Sequence, residues 1–155
     1  VIGVDTIPER LAMGDSLGID HTIDYRNHDP VKAILELTDG RGVDASIEAL
    51  GTQGTFEAAL RVLRPGGTLS SLGVYSTDLR IPLDAFAAGL GDTRIVTTLC
   101  PGGKERMRRL MDVIASGRID LGPMVTHRFT LDRIEEAYEL FSHQRDGVLK
   151  VAIAI

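Results

Sequence analysis

The residue with the clearest chemical meaning is Asp5, an acid that follows directly on the apolar run Val1-Ile2-Gly3-Val4. In a dinucleotide-binding fold, an acidic side chain at the end of the second strand accepts hydrogen bonds from the adenosine ribose hydroxyls. The same charge repels a 2′-phosphate, so Asp5 favours NAD over NADP. Taken by itself, Asp5 reads equally well as a strand terminator or a helix N-cap. Arg10 can lay its guanidinium along the same ribose, or stand solvated on a helix.

Further segments fall where open α/β sheets bind ligands, at the carboxyl ends of strands. They are Ile47-Glu48-Ala49-Leu50-Gly51, Leu72-Gly73-Val74 and Leu99-Cys100-Pro101-Gly102-Gly103. Small and apolar groups at such ends let a flat nicotinamide ring lie against backbone. The alternative is an ordinary strand-to-loop turn, with glycine supplying φ > 0. Cys100 has no Cys-x-x-Cys or His-x-x-x-His companion, and reads as a small apolar loop residue rather than a nucleophile or ligand. His21, His28, His127 and His143 are scattered and give neither metal spacing nor a triad. No residue is assigned a catalytic or metal-binding role.

The elements that must position these residues alternate. Strand-like β-branched runs at 1–4, 21–24, 43–49, 67–74 and 94–99 are separated by helical patterns at 8–17, 30–38, 54–63, 82–90 and 104–116. That rhythm is the signature of βαβ units and a parallel sheet, so the class is α/β. Phe56, Ala59, Leu60 and Leu63 make one apolar helical face. Arg64-Pro65-Gly66-Gly67 ends that helix and turns the chain into the next strand. Beyond Gly117 the pattern changes to an extended stretch at 121–129, a helix at 131–143 and a closing strand at 148–155. The domain reading is therefore a dinucleotide-binding part at 1–118 and a C-terminal segment at 119–155 that returns to another domain.

A chain of 155 residues can bury a sizeable single core. With 17 Lys plus Arg against 22 Asp plus Glu, the net charge of -5 provides no basic footprint for a phosphate backbone, so nucleic acid is a poor partner. No apolar run reaches the ~18 residues that span a bilayer, and the start lacks a signal-peptide layout. One cysteine excludes an internal disulfide framework, and the cytoplasm is the default location. The G-x-G-x-x-G loop that should precede Asp5 by about 20 residues has no room. The chain thus reads as a fragment: a Rossmann-like doubly wound parallel sheet without its first strand and glycine-rich loop, expected to bind cofactor poorly by itself.

The order of these features resembles the medium-chain dehydrogenase/reductase family, in particular zinc-dependent alcohol dehydrogenases of the bacterial secondary-alcohol or threonine/sorbitol type. The resemblance runs through Val1-Ile2-Gly3-Val4-Asp5 with Glu9-Arg10-Leu11, Leu17-Gly18-Ile19-Asp20 leading to Ile23-Asp24-Tyr25, and Leu37-Thr38-Asp39-Gly40-Arg41-Gly42-Val43-Asp44. It continues through Leu63-Arg64-Pro65-Gly66-Gly67 and Val125-Thr126-His127-Arg128-Phe129 with Ile134-Glu135-Glu136-Ala137-Tyr138. Together these stretches cover essentially the whole chain. The resemblance implies Asp5 as the ribose ligand with Arg10 beside it, and Tyr25 near the adenine. It further implies Ala49, Leu50, Leu72, Gly73 and Val74 at the nicotinamide, Leu99 and Cys100 by the carboxamide, and Lys150 approaching the pyrophosphate.

The secondary-alcohol branch that Leu99-Cys100-Pro101-Gly102-Gly103 resembles includes NADP enzymes with a small residue where Asp5 stands, so there the resemblance and the charge diverge; the charge favours NAD. The resemblance also implies zinc ligands in a catalytic domain that this chain lacks, an alcohol or its ketone or aldehyde as substrate, and a homodimer or tetramer through the edge strand 94–99. In such enzymes zinc acts as a Lewis acid on the alcohol oxygen. Three alternatives stand beside this reading: a zinc-free quinone oxidoreductase of the same superfamily, a SAM-dependent methyltransferase, and a non-catalytic oligomerisation fragment.

Overall fold

The computed structural model describes residues 1–98 and 102–155. In chain order the regular elements are β1 (Ile2–Asp5), α1 (Pro8–Ser16), β2 (His21–Asp24), α2 (Pro30–Leu37), β3 (Val43–Glu48) and α3 (Gln53–Arg61). There follow β4 (Leu63–Ser71), β5 (Arg94–Thr97), α4 (Lys104–Ala115), β6 (Val125–Thr130), α5 (Ile134–Ser142) and β7 (Lys150–Ala154). The class is α/β, and the sheets β3-β4-β5 and β6-β7 are parallel throughout. β1 and β2 pair as a two-stranded sheet.

The helices begin where local chemistry tells them to. Proline occupies the first turn of α1 and of α2, where its missing N–H costs nothing. The Asp29 carboxylate caps α2 by accepting from the Val31 and Lys32 amides. Thr52 caps α3 in a reciprocal arrangement with Thr55.

The chain divides into two compact units. One comprises Val1, Gly3–Thr22 and Gly102–Ile155; the other comprises Ile2 and Ile23–Pro101. The second unit holds the β3-β4-β5 sheet and both buried clusters. Phe56 and Leu60 from α3 close over Leu69 of β4, with Ala59, Leu63, Tyr75, Ala85 and Ile95 at the margin. Ile23, Ile34 and Val62 form the other cluster, flanked by Ile2, Val31, Ala33 and Val43. Of the apolar face expected of the helix at 54–63, Phe56 and Leu60 lie on α3 and cover the sheet, whereas Leu63 already belongs to β4. In the first unit, Ala137 and Val148 are buried, and Ile19 fills the space that a side chain on Gly14 would need.

Two departures from the expected elements stand out, besides the 3-10 turn Gly122–Met124 inside the expected extended stretch and residues 72–74, which follow the end of β4. No α-helix occupies 82–90; that segment is a series of turns with a short 3-10 stretch at Ala87–Gly89. Leu83 and Leu90 point to solvent. Ala87 and Ala88 take left-handed backbone angles that break the helix. The second departure is at Arg64-Pro65-Gly66-Gly67, expected as a turn ahead of the strand. β4 instead begins at Leu63, and these four residues loop out within it. Val43 pairs with Leu63 but Ala45 pairs with Thr68, so a short step on β3 faces a long one on β4. Gly66, at φ 74°, takes the left-handed turn that this excursion requires.

Because Leu69 is 0% exposed at the middle of the three-stranded sheet, Leu69→Ala should lower stability by about 2–5 kcal/mol. Leu90→Ala, at a side chain 84% exposed, should stay within about 0.5 kcal/mol. Urea unfolding of both variants checks the contrast.

Candidate functional site

β3 and β4 run parallel in the register Ala45↔Thr68, Ser46↔Leu69, Ile47↔Ser70 and Glu48↔Ser71, so their carboxyl ends finish side by side. At this end β3 carries a carboxylate. Glu48 is only 3% exposed, and burial of an ionised group is costly unless its lone pairs are satisfied. Here they are. One oxygen, Oε1, accepts from the Leu50 amide, the Gly51 amide and the Thr55 hydroxyl, each at 2.8 Å. The other, Oε2, accepts from the Tyr75 hydroxyl at 2.6 Å, and Tyr75 in turn shares a 2.8 Å hydrogen bond with Ser71. The Glu48 backbone carbonyl takes the Leu72 amide at 2.7 Å and the Gly73 amide at 3.2 Å. One residue thus ties the loop after β3, the start of α3 and the segment after β4 together.

Burial pushes the Glu48 carboxyl up, but the donors from Tyr75, Gly51, Thr55 and Leu50 outweigh it and hold the group below the usual carboxylate range. Burial, and the bond donated to Glu48, push the Tyr75 phenol the other way, upward. The approach is close enough to demand glycine. A side chain on Gly73 would collide with the Gly51 backbone and with Glu48 Oε2, and one on Gly51 would strike the Val74 backbone. Gly51 also sits at φ 89°.

Around this rigid base the apolar residues singled out from sequence face outward. Ala49 is exposed, as are Leu50, Leu72 and Val74, and Gly73 lies between the last two. The second unit therefore brings Ala49, Leu50, Leu72, Gly73 and Val74 together on adjacent strand ends. Tyr25 belongs to the same unit, half exposed in the turn after β2. Leu99 and Cys100 lie outside the described residues.

In the first unit, Asp5 is the last residue of β1. Its Oδ1 accepts from the Thr6 and Ile7 amides at 2.7 and 3.0 Å, while Oδ2 stands 3.8 Å from the Arg10 guanidinium. Asp5 thus shapes its own turn without capping α1, whose N-cap is Ile7. Both side chains remain about one-third exposed, leaving Oδ2 able to accept a further hydroxyl. Lys150 opens β7 opposite Val125 and is exposed. Among the described residues it makes no ion pair.

Sequence reasoning missed Glu48, Thr55, Ser71 and Tyr75 as a network. A signal was present: an acid ends the otherwise sheet-forming run Val43-Asp44-Ala45-Ser46-Ile47, immediately before small residues and a helix cap. Among the described residues no three His, Cys, Asp or Glu side chains converge.

Comparison with known proteins is consistent across three levels. The family described as zinc-binding dehydrogenase matches residues 1–116. An alcohol dehydrogenase from Cupriavidus necator is 65% identical over 153 residues, 99% of this chain and 42% of that protein. The NADP-dependent isopropanol dehydrogenase of Clostridium beijerinckii is 31% identical over 158 residues, covering 100% of this chain and 45% of that one. Among solved structures, an alcohol dehydrogenase from Thermus sp. ATN1 superposes with a TM-score of 0.87 at 29% identity, over 99% of this chain and 43% of that one. The chain spans less than half the length of each.

Glu48→Ala leaves four donors without their acceptor and should cost about 3–5 kcal/mol. Because the folded-state pKa of Glu48 is depressed, its stabilisation is complete above the unfolded carboxyl pKa of roughly 4.3 and disappears as pH falls through the lower folded value. The stability advantage of the wild type over Glu48→Gln should therefore be constant near neutrality and shrink in acid, as urea titrations across pH will show.

Proposed function

This chain belongs to the zinc-binding dehydrogenase family, and from that membership we propose that it is the cofactor-binding portion of an alcohol dehydrogenase moving hydride between an alcohol and NAD. The observation that carries the proposal is the exposed apolar surface of Leu50, Leu72 and Val74 on the clamped carboxyl ends of two parallel strands. A flat, partly apolar ring is the ligand that such a surface suits. On this reading 1–118 is the dinucleotide-binding part, and 119–155 packs on a catalytic domain supplied by the rest of the protein.

The roles then divide among the chain's own residues. Asp5, with one carboxylate oxygen held by its turn and the other near Arg10, accepts the adenosine ribose hydroxyls and repels a 2′-phosphate. This favours NAD, although the relative from Clostridium beijerinckii is named for NADP. Tyr25 flanks the adenine, and Lys150 offers charge to the pyrophosphate. Ala49, Leu50, Leu72, Gly73 and Val74 orient the nicotinamide and keep water from one of its faces, with Leu99 and Cys100 by its carboxamide. When bound, the nicotinamide supplies the hydride acceptor. The described residues offer no donor set for zinc.

No described helix is long and apolar enough to cross a membrane, and we place the enzyme in the cytoplasm. β5 pairs only with β4 among the described strands. Its other edge is where we expect two copies to meet in a dimer.

The intact protein should oxidise small alcohols with NAD as acceptor. Reduction of quinones without alcohol turnover would replace this reading with the zinc-free quinone oxidoreductase. Asp5→Ser should weaken NAD binding about tenfold, a change of about 1.4 kcal/mol, and strengthen NADP binding; fluorescence titration of the two reduced cofactors checks both directions. Light scattering should return a dimer mass, and a charge placed on the outer edge of β5, as in Val96→Lys, should reduce it toward the monomer.

A further inference from the structure

The proposed nicotinamide wall rests on a carboxylate, that of Glu48, that no cation among the described residues offsets. Its described partners are neutral donors: the Leu50 and Gly51 amides and the Thr55 and Tyr75 hydroxyls. Among the described residues no Lys, Arg or His forms an ion pair with it. Hydrogen bonds of this kind stabilise an anion without cancelling its charge. A carboxylate buried to this degree and left without a cation is unusual, because a cation would offset much of its desolvation cost. The charge also lies close to the surface it supports. Glu48 Oε2 packs against Gly73, which contributes no side chain to separate it from the wall of Leu72 and Val74.

A nicotinamide carries a positive ring when oxidised and a neutral ring when reduced. A fixed negative charge behind the ring favours the positive state over the neutral one. We infer that Glu48 is a positioning residue that fixes the wall formed by Leu50, Gly51 and Leu72–Val74 and biases it, through its charge, toward the oxidised form of the cofactor. The inference rests on the cofactor reading above and adds to it a preference between oxidation states. A carboxylate whose only task was to pin the strands would not produce that preference.

Glu48→Gln separates the two roles, since the amide oxygen can keep the donors at Oε1 while the charge is lost. Calorimetric titration of the intact protein with NAD⁺, NADH and ADP-ribose is the test. The variant should bind NAD⁺ roughly fivefold more weakly, with NADH and ADP-ribose changed less than about twofold. Equal weakening of NAD⁺ and NADH, or an unchanged ratio between them, overturns the inference and leaves the cofactor reading intact. Wild-type protein that binds none of the three overturns both. Should Glu48→Gln fail to fold, Tyr75→Phe decides the matter. It removes one neutral donor and keeps the charge, so the preference for NAD⁺ over NADH should stay within about twofold of the wild-type value; loss of that preference overturns the inference.

Discussion

The acceptor capacity of one buried carboxylate holds together the carboxyl end of the three-stranded sheet. A parallel pair of strands fixes its hydrogen bonds along its length, but nothing in the ladder dictates what the chain does once the strands end. At Glu48 and Ser71 the pairing stops, and the outgoing segments take over. The Glu48 side chain and carbonyl gather amides and hydroxyls from residues 50, 51, 55, 72, 73 and 75. Glycine at 51 and 73 is the steric consequence, because those two segments approach too closely for any side chain. The exposed apolar residues beside them hold defined positions because their backbones are tied from beneath.

This arrangement also accounts for how α3 begins. Thr55 serves twice, as a partner of the Thr52 cap and as a donor to Glu48. The helix start, the loop and the strand end are therefore one cooperative element. The buried side of the same helix supplies Phe56 and Leu60 to the core over Leu69. Packing and polar satisfaction converge on a stretch of chain that covers both the hydrophobic centre and the candidate site. Phe56 also meets the Tyr75 ring edge-on, with centroids 6.0 Å apart, linking the apolar cluster to the polar one.

The alternating pattern of the sequence conveyed the α/β class, the order of the strands and most helix positions, because apolar periodicity is imposed by the core and survives in single residues such as Phe56 and Leu60. It failed at 82–90, where Leu83 and Leu90 have helical spacing yet face solvent, and where left-handed alanines are permitted only by their surroundings. It also failed at Arg64-Pro65-Gly66-Gly67, whose turn chemistry is real but lies inside a strand. Only a partner strand can reveal that. At the site, sequence position located the small and apolar residues at strand ends but not the carboxylate beneath them. The meaning of Glu48 depends on Tyr75, which is 27 positions away and brought near by strand register.

The loop-out within β4 has a consequence beyond geometry. It lies at the amino end of the β3–β4 pairing, opposite the end where Glu48 and Ser71 finish the ladder. Gly66 anchors it through a 2.8 Å hydrogen bond to the Gly91 carbonyl. Changes in chain length can therefore be absorbed there without shifting the strand ends. The sheet has a tolerant end and an intolerant one: residues added to or removed from this bulge leave the opposite rim in its shape.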